Sequence, residues 1–274
     1  MPRSTAEKRA AFHALHRQGC FVIPNPWDAG SARYLESLGF EALASTSSGH
    51  AWSQARADGA MPRDAVLAHL REIVAATDLP VNADFEDGYG DTPQAVADSV
   101  RLAVATGVAG LSIEDGTGDP AAPQYPLEVA VARLAAARAA IDAAGGDTLL
   151  VGRAENFFSG QPDLDDTLAR LRAYAAAGAD CLYAPGIRAR AQIAAVVAAV
   201  APRPVNLLVG GTSEHTMAEI AALGVRRVSV GGGLARAAWG GFMRAAKDLA
   251  QHGRFDGFAG AAAGAELNGL FSPR

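Results

Sequence analysis

The sequence predicts an α/β fold, a single (β/α)8 TIM barrel spanning residues 1–274. Three observations point there. Short apolar or β-branched runs alternate strictly with longer Ala/Leu/Arg-rich segments of helical period. The runs are apolar at nearly every position, as strands of a parallel sheet covered on both faces must be. About eight of them fit a chain of the length such barrels usually have. An open doubly wound sheet is the competing arrangement, but it would place G-x-G-x-x-G after the first strand, where NPWDAGSA stands instead.

Taken in order, the N-terminal MPRSTAEKRAAFHALHRQG is charged and helix-like, without the apolar centre of a secretion signal. FVIP (21–24) is the first strand, with SARYLESLG (31–39) as its helix. EALASTS (41–47) and RDAVLAHLREIVAAT (63–77) form the second unit, LPVNAD (79–84) and TPQAVADSVRLAVATG (92–107) the third. AGLSIE (109–114) precedes the helix LEVAVARLAAARAAIDAAGG (127–146), and TLLVGRA (148–154) precedes LDDTLARLRAYAAAG (164–178). DCLYAP (180–185), RPVNLLV (203–209) and RRVSVG (226–231) are the last three strands, with the helix TMAEIAALG (216–224) between the final two. Several helices stop on a Gly just before the next strand. Residues 235–274 read as a C-terminal helical extension, available to pack on a partner subunit.

Composition narrows the function classes. Half of the residues are hydrophobic (50%), ample for a large core. A formal charge of -5 and the lack of any Lys/Arg run argue against nucleic acid as a partner. Arginines interrupt the Ala-rich segments before roughly 18 apolar residues accumulate, so no membrane span is expected. Cys20 and Cys181 lie far apart and near no His or Cys cluster, which suggests neither a disulfide framework nor a zinc site. The expected location is the cytoplasm.

In such a barrel the chemistry sits at the C-terminal ends of the strands. The third strand runs into VNADFEDGYGD (81–91), where Asp84, Glu86 and Asp87 crowd together. Like charges so close either fan out into water or are collected by a cation. The fourth strand ends in Glu114-Asp115, the fifth in Arg153 and Glu155, and the second in Ser45-Thr46-Ser47-Ser48-Gly49-His50. One or two carboxylates with waters suit Mg²⁺. An arginine offers a planar fork for a substrate carboxylate, and the 45–49 loop can turn backbone N–H groups toward an oxyanion. Together these parts can hold a 2-oxo acid through metal and arginine and stabilise an enolate as a neighbouring bond breaks.

Asp87 and Asp115 read as loop-bonding acids. His50 is either a general acid/base or a brace for the loop. Tyr89 and Trp52 read as packing residues and Cys181 as a small buried hydrophobe. Asn206 is a candidate polar contact to substrate.

VNADFEDGYG, GVAGLSIED, LVGRAENF and the strand, Ser/Gly loop and AW..Q pattern at 41–54 resemble the isocitrate lyase/phosphoenolpyruvate mutase superfamily. The resemblance runs from about Asn25 to the eighth strand. It implies a Mg²⁺-dependent (β/α)8 barrel acting on 2-oxo acids or their precursors, with Mn²⁺ as the alternative ion, and a homodimer or homotetramer that exchanges its last helices. Residue by residue, Asp84 matches the acid that contacts the metal directly. Glu86, Glu114 and Asp58 match acids that hold its waters, which makes Asp84, Glu86 and Glu114 the metal set. Arg153 matches the substrate-carboxylate arginine and, with Glu114 and Asp58, the catalytic set. Thr46 and Ser47, with Ser48 beside them, fall where the superfamily binds the 2-oxo acid.

The departures are equally specific. Superfamily lyases carry a Lys-Lys/Arg-Cys-Gly-His loop after the fourth strand; here it reads DGTGDPAAPQYP, with neither Cys nor His. Tyr125 and Asp119 are the candidates to replace it. The phosphonate mutases place an Asn in that loop and a Trp beneath the substrate, where this chain has no Asn and has Ala44. Pro185 stands where relatives carry Glu or His, and Asn206 is offset by two from the usual asparagine.

The expected function is therefore a Mg²⁺-dependent lyase. It would cleave or form a carbon–carbon bond adjacent to a 2-oxo acid through a metal-stabilised enolate, in the manner of isocitrate or methylisocitrate lyases or by cleaving oxaloacetate. Phosphorus–carbon chemistry on phosphonopyruvate is the enzymatic rival. A non-catalytic 2-oxo-acid binder is the reading from a different class.

Overall fold

The computed structural model describes residues 2–272. Eight strands occur in chain order: β1 (Phe21–Ile23), β2 (Leu43–Ala44), β3 (Val81–Asp84), β4 (Gly110–Glu114), β5 (Leu149–Arg153), β6 (Cys181–Tyr183), β7 (Val205–Leu208) and β8 (Arg227–Ser229). All are parallel and lie in the order β1-β8-β7-β6-β5-β4-β3-β2. The seam between the outer two is bridged where the Ala44 N–H donates to the Pro24 carbonyl at 3.0 Å and Asn25 Nδ2 to the Ser45 carbonyl at 2.9 Å. The sheet is thus a nearly closed (β/α)8 barrel, as the alternating pattern predicts.

The helices are α1 (Thr5–Leu15), α2 (Ala29–Ser37), α3 (Ser47–Ser53), α4 (Arg63–Ala76), α5 (Pro93–Val104), α6 (Leu127–Ala143), α7 (Leu164–Ala176), α8 (Arg190–Val200), α9 (Met217–Ala222), α10 (Gly233–His252) and α11 (Gly264–Phe271). Local chemistry starts them where the sequence suggests. Ser4 and Glu7 close a capping box on α1, and Thr92 caps α5 with Pro93 at its first position. Their apolar stripes pack on the outward faces of the strands, Val100, Leu111, Ile113, Leu134 and Leu171 all lying in one continuous buried cluster.

A file of polar side chains crosses the bore of the barrel, between apolar groups such as Val151 and Cys181. Arg227 Nη1 reaches Asn82 Oδ1 at 3.3 Å, and since β8 and β3 are not neighbours in the sheet, this contact crosses the interior. Asn206 Oδ1 accepts from Arg227 Nε at 2.8 Å, and Asn206 Nδ2 donates to Ser229 Oγ at 2.9 Å. All four residues are buried.

One local expectation is corrected, and one helix has no counterpart in the sequence reading. EALASTS is a strand only at Leu43–Ala44, because the Thr46 hydroxyl accepts the Gly49 N–H and begins α3. The helix α8 forms in an Ala/Val-rich segment, RAQIAAVVAAV, whose sparse polar residues give it little readable period. Beyond β8 the chain forms α10, from Gly233, and then α11. Among the buried residues of α10 only Ala235 is found, while Trp239, Phe242 and Met243 are exposed. The last helix, α11, returns to α2 of its own chain, where Arg33 sits over the Phe271 ring at 5.7 Å.

Candidate active site

The ends of β3, β4 and β5 carry carboxylates that surround a single guanidinium. Arg153 Nη1 lies 2.9 Å from Glu114 Oε2 and 3.3 Å from Asp84 Oδ1, and Arg153 Nε donates to Glu155 Oε1 at 2.5 Å. Its cation also sits over the Tyr183 ring, 5.2 Å from the centroid. Parallel register brings these groups together, since Glu114 on β4 pairs with Arg153 on β5, and Arg153 with Tyr183 on β6. Three acids thus share one cation.

The chain is forced into this arrangement at Glu86. Glu86 (φ 44°) and Tyr89 (φ 52°) are both left-handed, a region that costs a non-glycine residue of order 1 kcal/mol or more. Between them Gly88 has φ 89°, and a Cβ there would meet Val96 Cγ1 at 2.9 Å. Arg133, buried on α6, clamps the turn: Nη1 donates to the Gly90 carbonyl at 2.7 Å and Nη2 to Asp87 Oδ2 at 2.9 Å. Strain held in place by a buried arginine at a cluster of acids is a signature of a functional site.

The acids are correspondingly reluctant to ionise. Burial pushes the Glu86 carboxyl up to about 7, with Asp84, Asp58 and Asp87 adding to the effect. Glu86 Oε1 is buried without a hydrogen-bond partner, and the Tyr89 hydroxyl beside it does not reach bonding geometry. Burial also raises Glu114 well above the carboxylate range, against the pull of Arg153. Asp58 extends from an exposed loop; desolvation and then Asp84 raise it, while Ser47 opposes them.

The Ser/Gly segment meets this cluster directly. The Ser47 N–H donates to Asp84 Oδ2 at 2.9 Å, and Ser45 Oγ accepts from the Asp84 N–H at 2.9 Å. Thr46 Oγ1 and Ser48 Oγ are 3.0 Å apart. Gly49 allows the close fit, since a Cβ would lie 2.7 Å from Thr46 Cγ2 and 2.8 Å from Trp27 Cβ. The expected loop for an oxyanion is thus the first turn of α3, and in this structure its Ser47 amide serves the Asp84 carboxylate.

Other expected residues lie elsewhere. Asn206 does not face the acids: its side chain is committed to Arg227 and Ser229 in the bore. His50 stacks on His69 with ring centroids 3.7 Å apart, which makes it a brace between α3 and α4. Asp115 is held by Tyr174, Arg170 and the Glu155 N–H, and Asp87 by Arg133 and Tyr125, so both bond loops. Tyr125 lies over Arg133 at 4.2 Å, and Asp119 accepts the Ala121 N–H in its own turn. Neither is directed at Arg153. Sequence reading missed Arg133 and Arg170, whose only signal is an arginine on a helix face otherwise filled with Ala130, Leu134, Ala137 or Leu171.

The donors present fit a hard divalent cation. All are carboxylate oxygens, none is sulfur or imidazole, and one buried oxygen lacks a partner. Among the described residues, no three His, Cys, Asp or Glu side chains stand close enough together to hold a metal ion by themselves. Arg153 stands between Asp84 and Glu114, an arrangement suited to one direct carboxylate with waters bridging the rest. No described helix is long and apolar enough to cross a membrane.

Comparison with known proteins places the chain in a family. Residues 12–250 match the family described as phosphoenolpyruvate phosphomutase. A crystal structure of a candidate lyase/mutase from Burkholderia cenocepacia J2315 is 50% identical, with a TM-score of 0.95 and 98% of each chain covered. An oxaloacetate decarboxylase from Bradyrhizobium sp. is 33% identical over 79% of this chain and 74% of its own length. The structure of oxaloacetate acetylhydrolase in complex with its product oxalate is 27% identical, with a TM-score of 0.82, over 98% of this chain and 94% of that one. By the extent of the family match and the fold it shares, the chain belongs to the phosphoenolpyruvate phosphomutase family, in the phosphoenolpyruvate mutase/isocitrate lyase superfamily.

Proposed function

We propose that the protein is a Mg²⁺-dependent lyase that breaks a carbon–carbon bond next to the carbonyl of a small 2-oxo acid, with oxaloacetate-type substrates first in line. The observation that carries this reading is the convergence of Asp84, Glu114 and Glu155 on Arg153 at the C-terminal mouth. It is supported by two relatives whose names specify oxaloacetate. Asp84 would hold the ion directly, with Glu86, Glu114 and Asp58 holding its waters. When bound, it supplies a Lewis acid for the oxygens of a 2-oxo acid.

The chain's own residues do the remaining work. Arg153 takes the substrate carboxylate through its planar fork, exchanging a bond to Glu114 or Asp84 for one to substrate. Thr46 and Ser48 hydroxyls and the first amides of α3 orient the carbonyl end, where negative charge grows as the bond breaks. The superfamily's acid/base loop is absent, and Gln124, the polar residue nearest in sequence to Tyr125, is bonded to Asp115. A cleavage whose leaving group is carbon dioxide, or one assisted by water, asks least of that loop.

Phosphorus–carbon chemistry is favoured by the name of the matching family. It requires cations or amides around the phosphonate, and residues 116–126 contain no Lys, Arg or Asn. The exposed Trp239, Phe242, Met243, Phe255 and Phe258 of the C-terminal extension support a homodimer or homotetramer that covers them with a second copy. Proton and phosphorus NMR with oxaloacetate, 2-methylisocitrate, isocitrate and phosphonopyruvate, each with Mg²⁺ or EDTA, tests the reading. Metal-dependent loss of a carbon acid is expected. Turnover of phosphonopyruvate alone would favour the rival, and binding without turnover would favour a non-catalytic binder.

A further inference from the structure

The opposite mouth of the barrel holds a cleft of about 170 Å³ lined by His16, Arg17, Pro202, Arg203, Pro204 and Arg226, among others. These residues immediately precede β1, β7 and β8, adjacent strands of the sheet. Three arginines therefore share one recess at the N-terminal face, far along the strands from Asp84 and Glu114. Behind them lies a fourth. Arg227 is buried, and its Nη1 contacts His16 Nε2 at 3.4 Å.

The charges in this corner are unbalanced. The bonds of Arg227 run to Asn206 Oδ1, Asn82 Oδ1 and His16 Nε2, which are neutral groups. His16 cannot supply a negative charge, and its other ring nitrogen is engaged with the Phe12 carbonyl at 2.7 Å. The carboxylate that approaches is Asp180, 3.8 Å from Arg203 Nη1. That contact is through Oδ1; the other oxygen, Oδ2, takes Arg138 at 3.0 Å and the Leu150 N–H at 2.9 Å, so this single carboxylate is shared between two arginines. Arg226 donates to the Gly19 carbonyl at the edge of the cleft, again a neutral partner.

We propose that this cleft binds a small multivalent oxyanion, a phosphate or polycarboxylate group bridged by Arg17, Arg203 and Arg226. Guanidinium forks match both groups geometrically, and a bound anion relieves the mutual repulsion of four cations in one corner. The volume lies below the roughly 300 Å³ at which drug-sized pockets begin, which favours a compact anion over a nucleotide. Nothing in this site depends on the chemistry of the C-terminal mouth.

Isothermal titration of the full chain with inorganic phosphate and, separately, citrate tests the assignment, in EDTA and with chloride holding the ionic strength constant. Saturable binding of at least one anion is expected, and the anion that saturates identifies the class. The double variant R17Q/R203Q, altered at two exposed arginines, should bind at least about tenfold more weakly, whereas R172Q on the outer face of α7 should match wild type. Melting followed by circular dichroism confirms that each variant is folded, and R17Q alone provides a milder second reading. No saturable binding of either anion, or equal affinity in R17Q/R203Q, overturns the proposal. The latter result would place the anion at Arg153 instead.

Discussion

The two mouths of this barrel are built from the same repeating unit and carry opposite charge. At the C-terminal end, Asp84 from β3, Glu114 from β4 and Glu155 from just after β5 surround Arg153; at the N-terminal end, arginines cluster around a neutral histidine. Both ends hold like charges closer than stability alone would favour. The difference is in how each is supported. Around the acids, buried arginines on α6 and α7 fix the loops through Asp87 and Asp115. Around the arginines, the supports are the neutral Asn82, Asn206 and Gly19 carbonyl oxygens together with one edge carboxylate, Asp180, that Arg203 shares with Arg138, so positive charge is in excess there.

That contrast can be broken most severely at Asp115, which lies 1% exposed among Tyr174, Arg170 and the Glu155 N–H. Asp115→Ala leaves Arg170 without this partner and should lower the unfolding free energy by about 3–5 kcal/mol in urea titration. A loss under 1 kcal/mol would mean that the acidic mouth is not held from behind.

The next effect is functional rather than structural. Asp84→Asn should reduce Mg²⁺-dependent ligand binding or turnover by about a hundredfold or more, with an unchanged far-ultraviolet spectrum. Wild-type metal dependence in this variant would remove Asp84 from the metal set.

At the basic mouth, Arg227→Met deletes the buried charge but leaves the amide oxygens of Asn206 and Asn82 without their donor. A loss of about 2 kcal/mol is expected, and a gain in stability would show that the isolated charge outweighs its bonds.

The last effect separates the two ends by pH and is small only near neutrality. Burial, then the charge of Arg227, hold His16 at about 3 against an ordinary 6.5. The unfolded chain therefore takes up this proton first. Stability that is complete above about pH 6.5 is lost as pH falls toward 3, at about 1.4 kcal/mol per pH unit for the one proton. His69, lowered to about 4 chiefly by burial, acts in the same direction. His16→Gln keeps an acceptor for Arg227 and cannot protonate, so its urea midpoint should change less between pH 7 and pH 5. Parallel curves for the two proteins would discount His16.

Much of the acidic mouth is legible in the sequence because register in a parallel barrel is local. Each strand ends where its apolar run ends, so Asp84, Glu114 and Arg153 could be placed at the rim from pattern alone. The turn of EALASTS into a helix was hidden because Thr46 and Ser47 serve equally as strand residues and as a helix cap. Arg133, Arg170 and Arg227 were hidden for another reason. Their partners are distant in sequence, and no periodicity distinguishes a buried arginine from a solvated one. Asn206 fell between the two: its strand was read correctly, but its side chain faces Arg227, not the rim.

The polar file through the bore has a consequence for how this sequence can change. Tyr183 lies beside Ser229, Ser229 accepts from Asn206, Asn206 accepts from Arg227, and Arg227 reaches both Asn82 and His16. Each member satisfies the next, so a replacement at one position strands its neighbour, while a concerted exchange of the whole set for apolar residues of equal volume would strand none. Single-site substitution scans should therefore score every one of these positions as intolerant, and combinatorial libraries should recover them only as coupled sets. Along this file the barrel is inherited as a block.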